Sequence, residues 1–274
     1  MPISGAERMR IGLIGFGAIG QTLYRMLGEH LPAVQVVGVV DRADRAEELR
    51  NELPDLEISS SIDGLMALRP SLVIECAGHG GLKASGPAVL RGGADLLVAS
   101  VGALADQLLE TELLAAAREG GAKLRIPAGA LGGLDVLGAA RFAGLDNVTY
   151  TSNKAPRAWK GTAAEDMVDL DKLDKPTVFF TGDARSAALM FPQNANVAAA
   201  TALAGVGFER TRVQLCADPG AAGNRHRIQA NGAFGEIDVT ILGKTLPENP
   251  KTSVLAPYSL VRSLSNLSGT ISVA

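Results

Sequence analysis

Residues 10–20, Arg-Ile-Gly-Leu-Ile-Gly-Phe-Gly-Ala-Ile-Gly, run a short apolar strand straight into a turn nearly free of side chains, and no other stretch limits the fold as much. Gly15, Gly17 and Gly20 stand in the G-x-G-x-x-G spacing. Each missing side chain has its own use: Gly15 for the tight turn, Gly17 for close approach of backbone to a pyrophosphate, Gly20 for packing of the next helix on the strand. That helix is expected over 18–27. The amides of Ala18 and Ile19 at its start, with the positive end of its dipole, can receive phosphate without a lysine. A second apolar run, Val34 to Val40, ends at Asp41, about 20 residues past the last glycine, where an acid accepts from a ribose 2′-hydroxyl. The spacing alone is also that of an ordinary strand-to-helix turn; the acid at this distance favours a ligand site. Together these features predict an α/β fold with a Rossmann-type doubly wound parallel sheet that binds a nicotinamide dinucleotide. NAD is expected because Asp41 repels a 2′-phosphate, with NADP tolerated because Arg42 can pair with one.

The chain has 274 residues, 47% hydrophobic and 20% charged, enough for one large or two ordinary domains with ample core. A net charge of −3 offers no basic surface for nucleic acid. Met1 to Met9 lacks the apolar core of a secretory leader, and no apolar run is long enough to span a bilayer. Cys76 and Cys216 are far apart and form no paired motif. A cytoplasmic protein with two buried thiols, no metal, and no membrane or nucleic-acid partner is expected.

Strand and helix alternate through the first part. Helix-prone residues 42–53 precede a short strand at 56–60. Ser71 to Cys76 reads as a buried parallel strand, whose end at Ala77, Gly78 and His79 borders the nicotinamide side of a cofactor cleft. Helices are expected over 81–92 and 111–119, and strands over 95–99 and 123–126. Pro127 to Asp135 packs three glycines and two alanines into nine residues before the helix 136–143, as a ligand-lining segment or an interdomain hinge would. Beyond it come strands at 148–153 and 177–182, a basic loop from Lys154 to Lys160, helices at 183–190 and 196–204 with asparagine as the cap of the latter, and strands at 211–217, 226–230 and 234–242. Asn231-Gly232 is a hairpin signal. A last amphipathic helix from Pro250 through Leu267 is expected to pack on the first domain. The chain thus divides into a dinucleotide-binding domain, residues 1–127 and 250–274, and an inserted α+β domain, residues 128–249, with a mainly antiparallel sheet for substrate binding and dimerisation.

Five motifs in this order carry a family resemblance: Gly-Phe-Gly-Ala-Ile-Gly at 15–20, Pro-Ala-Gly-Ala-Leu-Gly-Gly-Leu-Asp at 127–135, Phe-Pro-Gln-Asn-Ala-Asn-Val-Ala at 191–198, Ala-Asp-Pro with Asn-Arg-His between 217 and 226, and Asn-Pro-Lys-Thr-Ser at 249–253. The chain resembles the L-aspartate dehydrogenases over nearly its whole length. The resemblance implies oxidation of L-aspartate by NAD or NADP to iminosuccinate, which hydrolyses to oxaloacetate and ammonia or feeds NAD synthesis. It also implies a homodimer, His226 as catalytic residue, and Ala130 and Asn196 as cofactor contacts.

The residues themselves ask for a base, since hydride leaves Cα only when the amino nitrogen can push its lone pair, and imidazole titrates in the useful range. An alkaline limb belonging to that base is expected in the pH profile. His30 ends the first helix and is expected to be solvated. His79 and His226 remain open on the residues alone, and the resemblance selects His226. Two substrate carboxylates need cations or amides, and Lys154, Arg157, Lys160, Arg225, Arg227, Lys244 and Lys251 are all available. An acylating semialdehyde dehydrogenase would need a thiolate where this chain has Pro-Ala-Gly-Ala; a nicotinamide-binding protein without chemistry is the non-enzymatic alternative.

Overall fold

The computed structural model describes residues 8–192, 194, 196–246 and 249–273. The leader reading of Met1 to Met9 thus lies largely outside the described residues. So do Gln193, Ala195 just before the 196–204 helix, and the side chain of Lys251, one of the cations available to a substrate carboxylate.

Two compact units form. The first comprises residues through Ser100, Gln107–Pro127 and those from Pro257 onward. Its elements are β1 (Met9–Ile14), α1 (Ala18–His30), β2 (Val34–Val40), α2 (Ala43–Glu52), β3 (Ile58–Ser59), α3 (Ile62–Ala67), β4 (Leu72–Glu75), α4 (Gly78–Arg91), β5 (Asp95–Val98), α5 (Gln107–Gly120) and β6 (Leu124–Arg125). The six strands lie in the order β3-β2-β1-β4-β5-β6, every neighbouring pair parallel. This is the doubly wound order, with the reversal of strand order between β1 and β4, where such sheets bind ligands. Both faces are covered, so residues 72–74 of β4 and 96–98 of β5 are continuous apolar runs, and Ile11, Leu13, Val39, Leu72, Ile74 and Leu97 are core residues.

The second unit comprises Val101–Asp106 and Ala128–Ala256. It holds α6 (Leu134–Ala143), β7 (Leu145–Lys154), β8 (Thr177–Asp183), α7 (Ala184–Met190), α8 (Asn196–Ala204), β9 (Thr211–Ala217), β10 (Asn224–Gly232), β11 (Gly235–Gly243), β12 (Thr245–Leu246) and β13 (Asn249–Ser253). A five-stranded sheet has the order β11-β10-β7-β9-β8, antiparallel except for β7 beside β9. The last helix, α9 (Leu255–Ser268), returns to the first unit, where Leu260 and Leu264 complete the core. Among the described residues no helix is long and apolar enough to cross a membrane.

Several boundaries differ from those read in the sequence, each for a local reason. Residues 101–106 cluster with the second unit, and the crossing back falls at 256–257 rather than 250, because 249–253 pair with β12 as a strand. Helix α9 therefore starts at Leu255, whose amide donates to the Ser253 hydroxyl (3.3 Å). Helix α4 starts at Gly78, since Glu75 accepts from the Ala77 and Gly78 amides (2.7 and 2.8 Å). Helix α5 starts at Gln107, four residues before the expected start at Thr111. The hairpin turn is Ala233-Phe234, not Asn231-Gly232. Gly232 is used instead for close passage of backbone, as a Cβ there would lie 2.1 Å from the Gly144 carbonyl oxygen. Strand β7 extends through Lys154, which removes that lysine from the loop.

Two glycines of α1 make opposite predictions. A Cβ at Gly20 would lie 2.5 Å from the Gly15 carbonyl oxygen, whereas one at the exposed Gly28 meets nothing within 4 Å. In urea unfolding of the ligand-free protein, Gly20→Ala should lose about 1–3 kcal/mol through forced backbone displacement. Gly28→Ala should gain about 0.5–1 kcal/mol from helix propensity. Equal shifts at the two sites would show that the helix does not depend on close approach to the turn.

Candidate active site

The glycine turn of the first unit has the shape its spacing requires. Gly15 has φ +86°, its amide donates to the Val40 carbonyl (2.7 Å), and a Cβ there would lie 2.8 Å from Ala77. Gly17 is the N-cap of α1 and has open space where its side chain would be. Helix α1 carries no side-chain cap and no acid in its first turn, so the amides of Ala18 and Ile19 keep the electropositive end of the helix available to an anion. Asp41 follows β2. Its Oδ2 accepts from the Phe16 amide and its Oδ1 from the Arg42 amide, both at 2.8 Å. It braces the turn and retains lone pairs on both oxygens for a further donor such as a hydroxyl. The exposed Arg42 guanidinium lies 3.7 Å from Asp44. Open space at Gly17, helix amides and a placed carboxylate fit a dinucleotide.

Glu75 ends β4 and is fully buried. Its Oε1 accepts from the Ala77 and Gly78 amides and from the Ser100 hydroxyl (2.7, 2.8 and 2.9 Å), and its Oε2 from the Ser100 amide (3.0 Å). Burial pushes its carboxyl above the ordinary value, and these donors act in the opposite direction. The Ala77 and Gly78 amides are thus engaged by the protein itself, and His79 sits half-buried in the first turn of α4. The sequence reading missed Glu75; a carboxylate closing the apolar run Leu-Val-Ile-Glu was its signal.

The second unit assembles a different kind of site. Alternation on β7 turns Val148, Tyr150, Ser152 and Lys154 inward, and alternation on β10 does the same for Asn224, His226, Ile228 and Ala230. Register sets His226 opposite Ser152. The Tyr150 hydroxyl lies 2.7 Å from His226 Nδ1. Burial, and secondarily the charge of Lys154, lower His226 from its ordinary value to about 3. The imidazole is therefore neutral throughout the working range, which corrects the expectation that it titrates near neutrality. Burial raises Tyr150 above the ordinary tyrosine value, so its hydroxyl keeps its proton. Lys154, 3% exposed, donates to Asn194 Oδ1 (2.9 Å) and sits 5.1 Å from the centroid of the Trp159 ring. Burial lowers its ammonium to about 8.

Around this face stand the other motif residues of the same unit. Ala130 is buried in the glycine-rich turn, and Cβ atoms at the neighbouring Gly132 and Gly133 would meet Ile241 and Val239, the inward residues of β11 beside β10. Asn196 opens α8 and its Oδ1 accepts from the Gly102 amide (2.9 Å). His30 lies exposed at the end of α1 beside Glu29. Burial raises the thiols of Cys76 and Cys216, the first also feeling Glu75 and the second Asp218, so neither has the lowered value of a nucleophile.

Residues 135–267 match the family model described as aspartate dehydrogenase, C-terminal, and residues 15–127 match that described as homoserine dehydrogenase, NAD binding domain. The chain is 45% identical over 268 residues to the L-aspartate dehydrogenase of Ralstonia nicotianae, covering 97% of this chain and 100% of that one. It is also 45% identical over 259 residues to that of Ruegeria pomeroyi, covering 94% and 92%. Among solved structures, the aspartate dehydrogenase of Thermotoga maritima matches with a TM-score of 0.77 at 26% identity, over 97% of this chain and 100% of that one. With a matching model on each unit and relatives of this identity along almost its whole length, the chain belongs to the L-aspartate dehydrogenase family of NAD(P)-dependent amino acid dehydrogenases.

Proposed function

We propose that this protein oxidises L-aspartate with NAD⁺, and less efficiently with NADP⁺, to iminosuccinate. The imine hydrolyses to oxaloacetate and ammonia or supplies NAD biosynthesis. The observation that carries this reading is the buried, neutral imidazole of His226, held by Tyr150 beside the Lys154 ammonium. The bound nicotinamide supplies the acceptor for the hydrogen and electron pair that leave Cα.

The substrate nitrogen must lose a proton before its lone pair can form the C=N bond. His226 takes that proton in this reading: with Nδ1–H donating to the Tyr150 oxygen, Nε2 carries the free lone pair, and the negative charge of the bound carboxylates raises its proton affinity above that of the empty site. The same nitrogen can then steer water onto the imine carbon, returning the proton as ammonia departs. In this reading Gly15, Gly17, Ala18, Ile19 and Gly20 hold the pyrophosphate and Asp41 the ribose hydroxyls. Ala77, Gly78, Ala130 and Asn196 are further cofactor contacts, the last two on the strength of the resemblance. The second unit serves for substrate binding and for pairing into a homodimer. Support for pairing comes from the outer face of its sheet, where Val178 and Leu242 stand exposed.

A steady-state assay of aspartate-dependent NAD⁺ reduction tests the activity. In it His226→Ala should lower kcat by about 10²–10⁴-fold with little change in NAD⁺ affinity. Since His226 stays neutral well above pH 3, the loss should be uniform from pH 6 to 10; His79→Ala abolishing turnover while His226→Ala remains near wild type would move the base to the first unit.

Asp41→Ala should shift the ratio of kcat/KM toward NADP⁺, and an unchanged ratio would remove Asp41 from cofactor selection. Light scattering at micromolar concentration should return twice the mass of one chain; a single-chain mass would exclude the dimer.

A further inference from the structure

The substrate proposed above carries two carboxylates, and seven lysines and arginines compete to bind them in the sequence. Geometry in the second unit separates these cations. Arg227 pairs with Asp238 and Lys160 with Asp171, both on exposed ground. Arg225 lies outward on β10, and Arg157 and Lys244 are exposed. Only Lys154, among the described cations of that set, is buried and turned to the face that holds His226.

A buried ammonium needs partners for three hydrogens, and Lys154 has one strong acceptor, Asn194 Oδ1, with the Trp159 ring as its second neighbour. Lys154 makes no ion pair among the described residues. Asn194 is itself 4% exposed, and its Nδ2 finds no hydrogen-bond partner among the described residues. Because Oδ1 of the same amide already touches Nζ, that unused N–H group lies next to the ammonium. Two adjacent donors, one charged and one neutral, with no acceptor between them are the complement of a carboxylate. Leaving a buried donor unmade is costly, so the arrangement points to an acceptor that arrives with the ligand.

We infer that Lys154 and Asn194 form the subsite that anchors a carboxylate of the substrate and selects dicarboxylates over amino acids with neutral side chains. This rests on the proposed reaction for its substrate but not for its chemistry. The titratable groups on the elements around Lys154 do not compete with it. Tyr150 on β7 keeps its proton and His226 on β10 is neutral. On β9, Ala217 is the register neighbour of Lys154 and the Cys216 thiol is held protonated. The Asp218 carboxylate accepts from Asn153 and from the Gly220 amide, and Arg185 on α7 is taken by Glu209 and the Ala105 carbonyl.

Succinate, which cannot react, is the probe, titrated by calorimetry into the NADH-loaded full-length protein. Lys154→Met, close in shape and without charge, should weaken succinate binding by about 10–100-fold, and Lys154→Arg should restore part of it. With wild-type protein, succinate affinity should be level below pH 8 and fall about tenfold per pH unit above it, as Lys154 deprotonates, a limb that Lys154→Arg displaces to higher pH. KM for L-aspartate should rise in Lys154→Met far more than kcat falls. Unchanged succinate binding in a folded Lys154→Met protein, or a flat wild-type profile through pH 10, overturns the assignment even if aspartate is oxidised. Lys154-dependent succinate binding without aspartate turnover would uphold the subsite and refute the proposed reaction.

Discussion

The pairing of β7 with β10 is the constraint on which the chemistry of the second unit depends. Because side chains alternate across a strand, one register decision sends Tyr150, Ser152, Lys154 and His226 to the same buried face; a slip of one residue in β7 would send Tyr150, Ser152 and Lys154 to the face opposite His226. Their burial is costly. Lowering Lys154 to about 8 corresponds to about 3 kcal/mol of stability withheld at neutral pH, since the unfolded chain binds that proton more tightly than the folded one. The penalty from this group shrinks as pH rises from about 8 toward the ordinary lysine value. For His226 the sign is the same and the window lower: its penalty is absent above the ordinary histidine value and grows as pH falls toward 3. Apolar packing opposes these costs. Trp159 meets Phe179 and Phe191 edge-on at 4.8 and 6.2 Å, and Phe180 adds a third contact to Phe191 at 5.4 Å.

The first unit solves an opposite problem with the same physics. Glu75 is a buried carboxyl group, yet four donors converge on its two oxygens from Ala77, Gly78 and Ser100. Both of its oxygens have donors, whereas Lys154 has one strong acceptor for three hydrogens and Asn194 Nδ2 has none among the described residues. Full satisfaction marks Glu75 as a device for holding the ends of β4 and β5 in place, and incomplete satisfaction marks the other pair as a place for a ligand.

What is legible in the sequence follows from the range over which each feature is encoded. The glycine turn is local: Gly15, Gly17 and Gly20 need only their own spacing, and the strand order and Asp41 follow from short apolar runs in sequence. Tyr150 and Lys154 are harder to recognise because their meaning depends on a partner strand more than 70 residues away, as the separation of 76 between Tyr150 and His226 shows. The alternation Val148, Tyr150, Ser152, Lys154 is present in the sequence, but ending the strand at Asn153 places the lysine in a loop and hides it among solvated cations. Asn231-Gly232 misleads for the related reason that a glycine required for close backbone passage looks the same as one required for a turn.

The two units also differ in what substitution can change. In the glycine turn, function is made of absent atoms: any side chain at Gly15 meets Ala77, and any at Gly20 meets backbone, so the turn has almost no freedom to vary its ligand. On the β7–β10 face, function is made of side chains standing on a ladder whose hydrogen bonds are all main-chain. Exchanging Lys154 for another inward residue leaves that ladder, the Tyr150–His226 bond and the aromatic packing in place. Selection among substrates is therefore concentrated at positions such as 154 and 194, where one cation and one amide can change without disturbing the imidazole or the glycine turn.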